Sequence, residues 1–170
     1  MSIGRRLARE MESFARDVGF CLTANRAVGP AVVWPSGEPG LSEEFCSRAV
    51  SPSVPPAADS LYPVSVNEQV EELTDHLGVL LGTQVRASAW DLSRDRATQP
   101  QAAGQERLLM PLTCGFDCRI DGSAEVGEPH PTVSMELRLR RGSVLYVPAH
   151  FSYTLSKGHA RTVALDLSIG

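Results

Sequence analysis

The stretch from residue 137 to residue 155 combines residue types and spacing that could support chemistry. It reads LRLRRGSVLYVPAHFSYTL, in which proline stops one apolar strand pattern and Tyr153 lies in the next. A phenol beside a carboxylate can act as a general acid/base pair, because its hydroxyl both donates and accepts hydrogen bonds. We therefore take Tyr153 as a candidate catalytic residue, with Glu106 and Asp117 as its candidate carboxylate partners.

Other polar and aromatic side chains near predicted strands are candidates for contacting a ligand. Regular pleating turns His150 and Tyr153 to opposite faces of one strand, although a bulge at Pro148 would reverse this. For Tyr153 a second interpretation stays open, in which the ring fills interior space and its hydroxyl bonds a neighbour. For His150 the second interpretation is a solvent-facing turn residue. The candidate ligand-binding residues are Arg86, Ser88, Trp90, Gln101 and His150.

Two helices are predicted from apolar residues spaced three and four apart. Residues 4–18 place their apolar side chains on one face, and Gly19 is expected to end this helix. The helix is expected to cover the barrel or, by its heptad-like spacing, to form a dimer seam. Residues 65–81 begin with capping-box spacing between Ser65 and Glu68 and end before a glycine.

From residue 84 onward the chain is predicted to be β structure. The strand patterns cover 84–90, 106–118 (a pair interrupted by Pro111 and Gly115), 134–140, 143–147, 151–155 and 161–169, with a short candidate at 31–34. The proline-rich stretch 35–63 excludes a long helix or central strand and reads as a lid or a surface insertion. Helices followed by many short strands predict one α+β domain over residues 1–170, mainly an antiparallel barrel or sandwich, with 1–64 flanking a core of 65–169.

The spacing Gly142, five residues, Pro148, one residue, His150, two residues, Tyr153 resembles the second motif of the cupin β-barrels. Residues 65–169 further resemble the JmjC-like and related cupin-type iron oxygenases, through a helix VEELTDHLGVLL, a strand TQVRASAWDLS and an apolar strand RLLMPLTCG. The resemblance implies a cupin-like antiparallel double-stranded β-helix, a jelly-roll barrel, with N-terminal and pre-barrel helices. In that family an H-x-D/E pair and a later histidine hold iron, and 2-oxoglutarate is the co-substrate.

The chain departs from the family at three parts of the oxygenase site. The loop that matches the H-x-D/E pair reads QPQAAGQERLL without histidine, and Tyr153 stands in place of the later histidine. Directly after Gly115, the glycine that ends the apolar strand RLLMPLTCG, the chain reads FDC, whereas relatives often have a basic residue there. The aspartate in this segment, Asp117, would repel the 2-oxoglutarate carboxylate. We therefore predict no metal and no cofactor. An atypical ligand set remains as an alternative, drawn from His130, His150, His159, Glu106, Asp91 and Asp117.

Composition narrows the classes of partner. A net charge of −4 and a pI near 5.6 argue against nucleic acid, and no apolar run reaches the ~18 residues of a membrane span. The start MSIGRRLARE has no apolar signal region, and acidic residues follow it, so we predict a cytoplasmic protein with reduced cysteines. Cys114 and Cys118 fit no zinc pattern and are predicted to point to one strand face, into packing.

Three functions stay open from the sequence. The first is a barrel that binds a small, mostly apolar metabolite without iron, as a binding module or as a non-redox enzyme of isomerase, dehydratase or cyclase type. The second is a non-catalytic interaction subunit, a homodimer or the partner of an active enzyme. The third is an iron/2-oxoglutarate oxygenase with atypical ligands.

Overall fold

The chain forms two helices and ten strands within the residues that its computed structural model describes, which are 3–36, 61–63, 68–92, 97–98, 100–122, 134–157 and 162–170. The helices are α1 (Ile3–Asn25) and α2 (Glu68–Leu81). The strands are β1 (Ala31–Val33), β2 (Leu61–Pro63), β3 (Val85–Leu92), β4 (Gln101–Ala102), β5 (Glu106–Pro111), β6 (Phe116–Gly122), β7 (Ser134–Leu139), β8 (Val144–Val147), β9 (Phe151–Lys157) and β10 (Thr162–Ile169).

The strands pair into two antiparallel sheets. One sheet has six strands in the order β1-β8-β5-β10-β3-β2, and the other has four in the order β4-β9-β6-β7. From β4 onward the chain passes repeatedly between the sheets, as in double-sheet jelly rolls. This topology confirms the predicted α+β, mainly β class with a cupin-like barrel.

The six-stranded sheet is buried on both faces. On one face Leu108, Tyr146 and Leu165 pack with the apolar stripes of α1 and α2. On the other face Leu109 and Leu145 pack against the four-stranded sheet. Successive residues of a strand point to opposite faces, so Leu108 and Leu109 belong to different cores. The domain thus has three layers, and we call the region between the two sheets the inner space.

The first helix is longer than predicted. Gly19 was expected to end it, but α1 continues to Asn25. The apolar stripe extends past the glycine to Leu22, which is buried in the helix-side core, so packing outweighs the helix penalty of glycine of about 1 kcal/mol. Met11, on the same stripe, faces the sheet, so the predicted heptad-like seam is not free for a second copy. Neither helix is long and apolar enough to cross a membrane within the described residues.

The second helix ends as predicted. It stops at Leu81, and Gly82 follows with a positive φ of 66°, a conformation that glycine adopts at little cost. The capping-box residue Ser65 lies outside the described residues. So does the proline-rich stretch 35–63, apart from residues 35–36 and β2, which pairs with β3.

The predicted strands are present with small shifts at their ends. The pattern over residues 106–118 divides into β5 and β6 around Gly115, as its breaks indicated. A Cβ atom at Gly115 would lie 2.4 Å from the Leu139 carbonyl oxygen, so no other residue fits there. Gly142 has a φ of 88° in the turn between β7 and β8, and Pro148 follows the last residue of β8, so both positions of the motif have their predicted roles.

A charged cluster on the helix side ties α1 to the large sheet. Arg26, just after α1, donates through Nε and Nη2 to the two carboxylate oxygens of Glu106, at 2.8 and 2.7 Å. The Tyr146 hydroxyl donates to the same carboxylate at 2.7 Å. Burial acts to raise the pKa of Glu106, but the hydrogen bonds from Arg26 and Tyr146 outweigh it, and the pKa lies below its ordinary value of 4.5.

We expect acid to weaken the fold through Glu106. Because its folded pKa is lowered, Glu106 contributes stability above pH 4.5, and the contribution disappears as the pH falls through the folded pKa. The substitution Glu106→Gln should lower the free energy of unfolding at neutral pH by about 1 kcal/mol, allowing for solvent screening, and by much less in acid. Urea unfolding across pH measures this. The exposed control Glu136→Gln should follow the wild type, and a constant deficit in Glu106→Gln would contradict the linkage.

Candidate functional site

A buried aspartate organises the inner space. Asp166 lies in β10, at the centre of the six-stranded sheet, and its side chain is 0% exposed. Its Oδ2 atom accepts hydrogen bonds from the Tyr153 hydroxyl at 2.7 Å and from Trp90 Nε1 at 3.0 Å. Its Oδ1 atom lies 3.2 Å from Arg107 Nη1, with which it forms a salt bridge. We call these four residues the Asp166 cluster.

The cluster joins both sheets. Trp90 in β3 and Arg107 in β5 come from the strands on either side of β10, whereas Tyr153 reaches across from β9 in the small sheet. Trp90 and Tyr153 are almost fully buried, and the Arg107 side chain is 20% exposed. The guanidinium therefore lies closest to solvent and marks one end of the inner space.

The electrostatics of the cluster keep Tyr153 protonated. Burial and then the negative charge of Asp166 raise the pKa of Tyr153 well above its usual range. The phenol is accordingly a hydrogen-bond donor at physiological pH. On Arg107, the Nε atom is buried without a hydrogen-bond partner among the described residues, so one donor of the guanidinium is unused.

The structure brings several of the sequence-predicted residues to this inner face. Ser88 is aligned with Asp166 in the register of β3 and β10, and Arg86 is aligned with Ser168 one row further along. Cross-strand neighbours share a face, so Ser88 and Arg86 lie on the same side as Trp90. In the small sheet Gln101 is aligned directly with Tyr153. The short strand β4 therefore lies beside β9, which contains Tyr153.

The predicted carboxylate partners do not contact Tyr153. Glu106 precedes Arg107 in β5 and points to the opposite face of the large sheet, where it binds Arg26 and Tyr146. Asp117 lies on the outer face of the small sheet, half-exposed and 3.9 Å from Arg138. The carboxylate that Tyr153 contacts is Asp166, which the sequence analysis did not single out.

Asp117 belongs to a groove on the outer surface of the small sheet. This groove has a volume of about 820 Å³ and is separated from Tyr153 by the sheet itself. Its charges alternate across the strands, since Asp117 is aligned with Arg138 and Arg119 with Glu136. Opposite charges directly across strands are the usual pattern of a solvated sheet face. Arg138 therefore has the solvent-exposed position that an amphipathic strand predicts.

His150 lies outside the inner space. It is exposed and lies in the turn before β9. Its φ is 75°, and among the described residues it is the single residue other than glycine with a positive φ. Its backbone N–H donates to the Ala103 carbonyl at 2.9 Å. The resemblance places glycine at this position in the family, and the left-handed backbone gives the reason. His150 is therefore an exposed turn residue.

The two cysteines that were predicted to share a face have different environments. Cys118 is buried in the inner core, and burial raises its pKa to about 12, so its thiol is protonated at neutral pH. Cys114 is exposed and lies in the turn between β5 and β6. The prediction of packing was right for Cys118 and wrong for Cys114, because the turn interrupts the strand alternation.

The Asp166 cluster does not fit the iron of the resembling family. Three hydrogen-bond donors already converge on the carboxylate, and one of them is a cationic guanidinium, which would repel a metal ion. Tyr153 offers a protonated phenol where that family has imidazole. Among the described residues no group of three His, Cys, Asp or Glu side chains is arranged to hold a metal. His130 and His159 lie outside the described residues.

Removing the charge of Asp166 should strongly destabilise the fold. In Asp166→Asn the partly buried guanidinium of Arg107 loses its counter-ion. Breaking one partner of a fully buried pair costs about 3–5 kcal/mol, and the partial exposure of Arg107 places the expected loss at the lower end. Chemical unfolding monitored by the Trp90 and Trp34 fluorescence measures this loss. The matched control Asp117→Asn, on the exposed outer face, should change stability by less than about 0.5 kcal/mol. Equal effects of the two substitutions would contradict the role of the cluster.

Glycine at position 150 should stabilise the protein. A left-handed backbone costs a residue with a side chain about 1 kcal/mol, and glycine avoids that cost. We expect His150→Gly to raise the midpoint of urea unfolding, whereas His150→Ala retains the strain and gives no gain. A lower stability for the glycine variant would show that the imidazole makes a compensating contact.

The comparisons with known proteins concern the fold. No protein-family model matches the chain, and no curated protein matches it significantly. It is similar to vicilin from Corylus avellana (hazelnut), at 13% identity over 56% of this chain with a TM-score of 0.45. It is also similar to HEPD from Streptomyces albus, whose structure holds 2-hydroxyethylphosphonate and Fe(II), at 25% identity over 51% with a TM-score of 0.40.

AerE from Microcystis aeruginosa is similar at 13% identity over 51% of this chain, with a TM-score of 0.41. The chain spans 26% of the vicilin, 18% of HEPD and 36% of AerE. Likeness at this level carries no information about ligand, metal or reaction.

Proposed function

We propose that the domain binds a small, mostly apolar metabolite in its barrel without iron, either as a binding module or as a metal-independent non-redox enzyme. The observation that carries this proposal is the Asp166 cluster. A buried carboxylate with three side-chain donors stands in the inner space, surrounded by apolar side chains of both sheets. Ligand sites commonly combine apolar walls with a few convergent polar groups.

The solvent-facing end of the cluster is the place where a ligand would enter. Arg107 is the partly exposed member, and its Nε donor is unused. Arg86 and Ser88 lie on the same face of the large sheet, and Gln101 lies opposite, beside Tyr153. A ligand there would place its apolar part against the inner core and its polar end near the two arginines.

The cluster also limits the chemistry that such a site could perform. Tyr153 holds its proton and directs it towards Asp166. In a reaction at this site Tyr153 would give a proton to a ligand oxygen while the Asp166 carboxylate takes one from the ligand, so the pair neither gains nor loses a proton overall. Proton transfer of this kind suits isomerisation, dehydration or cyclisation. It needs no change in oxidation state and no metal.

A second function, an interaction subunit, is favoured by a different observation. Large apolar side chains are exposed on the outer surface of α1 and α2, far from the inner space. Because that surface and the inner space are separate, an interaction there is compatible with a ligand in the barrel. No contact among the described residues supports the third function, an iron/2-oxoglutarate oxygenase with atypical ligands. Stoichiometric iron together with 2-oxoglutarate turnover would nevertheless overturn the proposal.

The two buried tyrosine hydroxyls supply a matched test. Tyr153→Phe and Tyr146→Phe each remove one hydrogen bond to a carboxylate, and each should cost about 1–3 kcal/mol of stability. Tyr153 faces the inner space, so only Tyr153→Phe should weaken ligand binding, by about tenfold. Titration calorimetry with straight-chain carboxylates from butanoate to decanoate, and with the matching alcohols, measures the affinities of both variants.

The outcomes separate the alternatives. Tighter binding of carboxylates than of alcohols, lost in Tyr153→Phe and kept in Tyr146→Phe, supports a site at the Asp166 cluster. Equal binding by both variants would place the ligand elsewhere. A wild-type chain that binds no member of either series, and whose native mass equals that of the bare polypeptide, would contradict a small-molecule function.

A further inference from the structure

The outer surface of the two helices exposes large apolar side chains. Phe20 in α1 is 75% exposed, and Val79 and Leu80 in α2 are 85% and 53% exposed. The two helices meet at this point, because a Cβ atom at Gly19 would lie 3.9 Å from Leu80 Cδ1. Phe20 follows Gly19 and Val79 precedes Leu80, so the exposed apolar side chains of the two helices lie near this meeting point. Single exposed apolar residues are common, but a contiguous patch marks an interaction surface.

Charged residues continue the same surface, with opposite signs on the two helices. On α1 the exposed positions include Arg9 and Arg16, with Glu12 as the acidic exception. On α2 the exposed positions include Glu71 and Asp75. These positions lie opposite the buried stripes that pack on the sheet. We call this surface of α1 and α2 the helix face.

The two halves of the helix face have matching spacing. In α1 Arg16 precedes Phe20 by four residues, and in α2 Asp75 precedes Val79 by four residues. Residues four apart stand one above the other on one side of a helix. When the two helices are placed side by side in the same direction with Phe20 beside Val79, Arg16 comes beside Asp75 about one turn earlier.

The helix face is thus complementary to itself, and we propose that it joins two copies of this chain in a symmetric dimer. In this dimer α1 of each copy packs on α2 of the other, with Phe20 against Val79 and Arg16 against Asp75 of the partner subunit. Both helices end at the same edge of the large sheet, because Arg26 after α1 binds Glu106, α2 leads into Val85, and Glu106 and Val85 both pair with Ile169. The helices therefore run in the same direction, and a two-fold axis along them produces both contacts at once, as isologous interfaces require. A partner of another kind would need to supply the same basic and acidic stripes, whereas a second copy already carries both.

The length of the helices suits a stable interface. The 23 residues of α1 extend over about 35 Å, and α2 adds a second helix beside it. Two such helices from each copy can bury an area of the standard size for specific dimers, with apolar contacts at one end and ion pairs along the rest. This surface differs from the predicted heptad-like seam, whose residues Met11, Phe14 and Val18 are buried against the sheet.

A charge exchange tests the proposed dimer. We expect the wild-type chain to sediment as a dimer whose dissociation constant rises with salt, because ion pairs contribute. Arg16→Glu and Asp75→Arg should each weaken the dimer about tenfold or more, and the double variant should regain most of the loss. Phe20→Glu should give a monomer. Arg119→Glu, on the outer face of the small sheet, is the control and should leave the dimer unchanged.

Each outcome of sedimentation equilibrium decides the proposal. Rescue by the double variant, with all variants folded by circular dichroism, establishes the pairing of Arg16 with Asp75 across two copies. The proposal is overturned if the wild-type chain is still monomeric at a protein concentration about 100-fold above a micromolar dissociation constant, which is typical of such dimers. A dimer that is insensitive to Phe20→Glu and to both single charge reversals overturns it as well, since the interface then lies elsewhere.

Discussion

The burial of Asp166 constrains the rest of the barrel. An ionised carboxylate removed from water must be paired and hydrogen-bonded, and here its partners come from three other strands. Two of them lie in the same sheet and one lies in the opposite sheet, so the carboxylate is satisfied only when both sheets have their native distance and register. Apolar packing alone would tolerate small shifts between the sheets. The cluster selects one arrangement, which is a role that buried polar groups can have in specifying a fold.

The fold was largely predictable because its signals are local. Alternating patterns located most strands, the glycine at 82 ended α2, and Gly142 and Pro148 had the positions that the motif predicted. The end of α1 was not predictable in the same way. A glycine is a local stop signal, but burial of Leu22 on the sheet is a tertiary effect, and it outweighs the local preference.

The site was only partly predictable, for a geometric reason. Strand alternation tells which residues share a face, as Ser88 and Trp90 do, but it does not tell which face is the inner one. Glu106 and Arg107 are neighbours in one strand and therefore point to opposite faces of the sheet. Alternation alone does not say which of the two side chains reaches the inner space. Asp166 carried a signal in the sequence, since it is the one charge within the apolar run TVALDLSI. Its partners are 13 to 76 residues away, and no local pattern connects them.

The contact between Gly115 and Leu139 has a consequence for comparing this chain with distant relatives. The turn after β5 brings its backbone against the carbonyl oxygen of β7 so closely that even a methyl group is excluded. Position 115 should then tolerate no replacement while the two strands keep their places, whatever happens to the side chains of the inner space. In sequences too diverged for ordinary alignment, this glycine and the turn glycine at 142 give two fixed reference points, 27 positions apart here. Between these two glycines the described strands β6 and β7 are paired along their length, so a change in the spacing of the pair would be expected in residues 123–133.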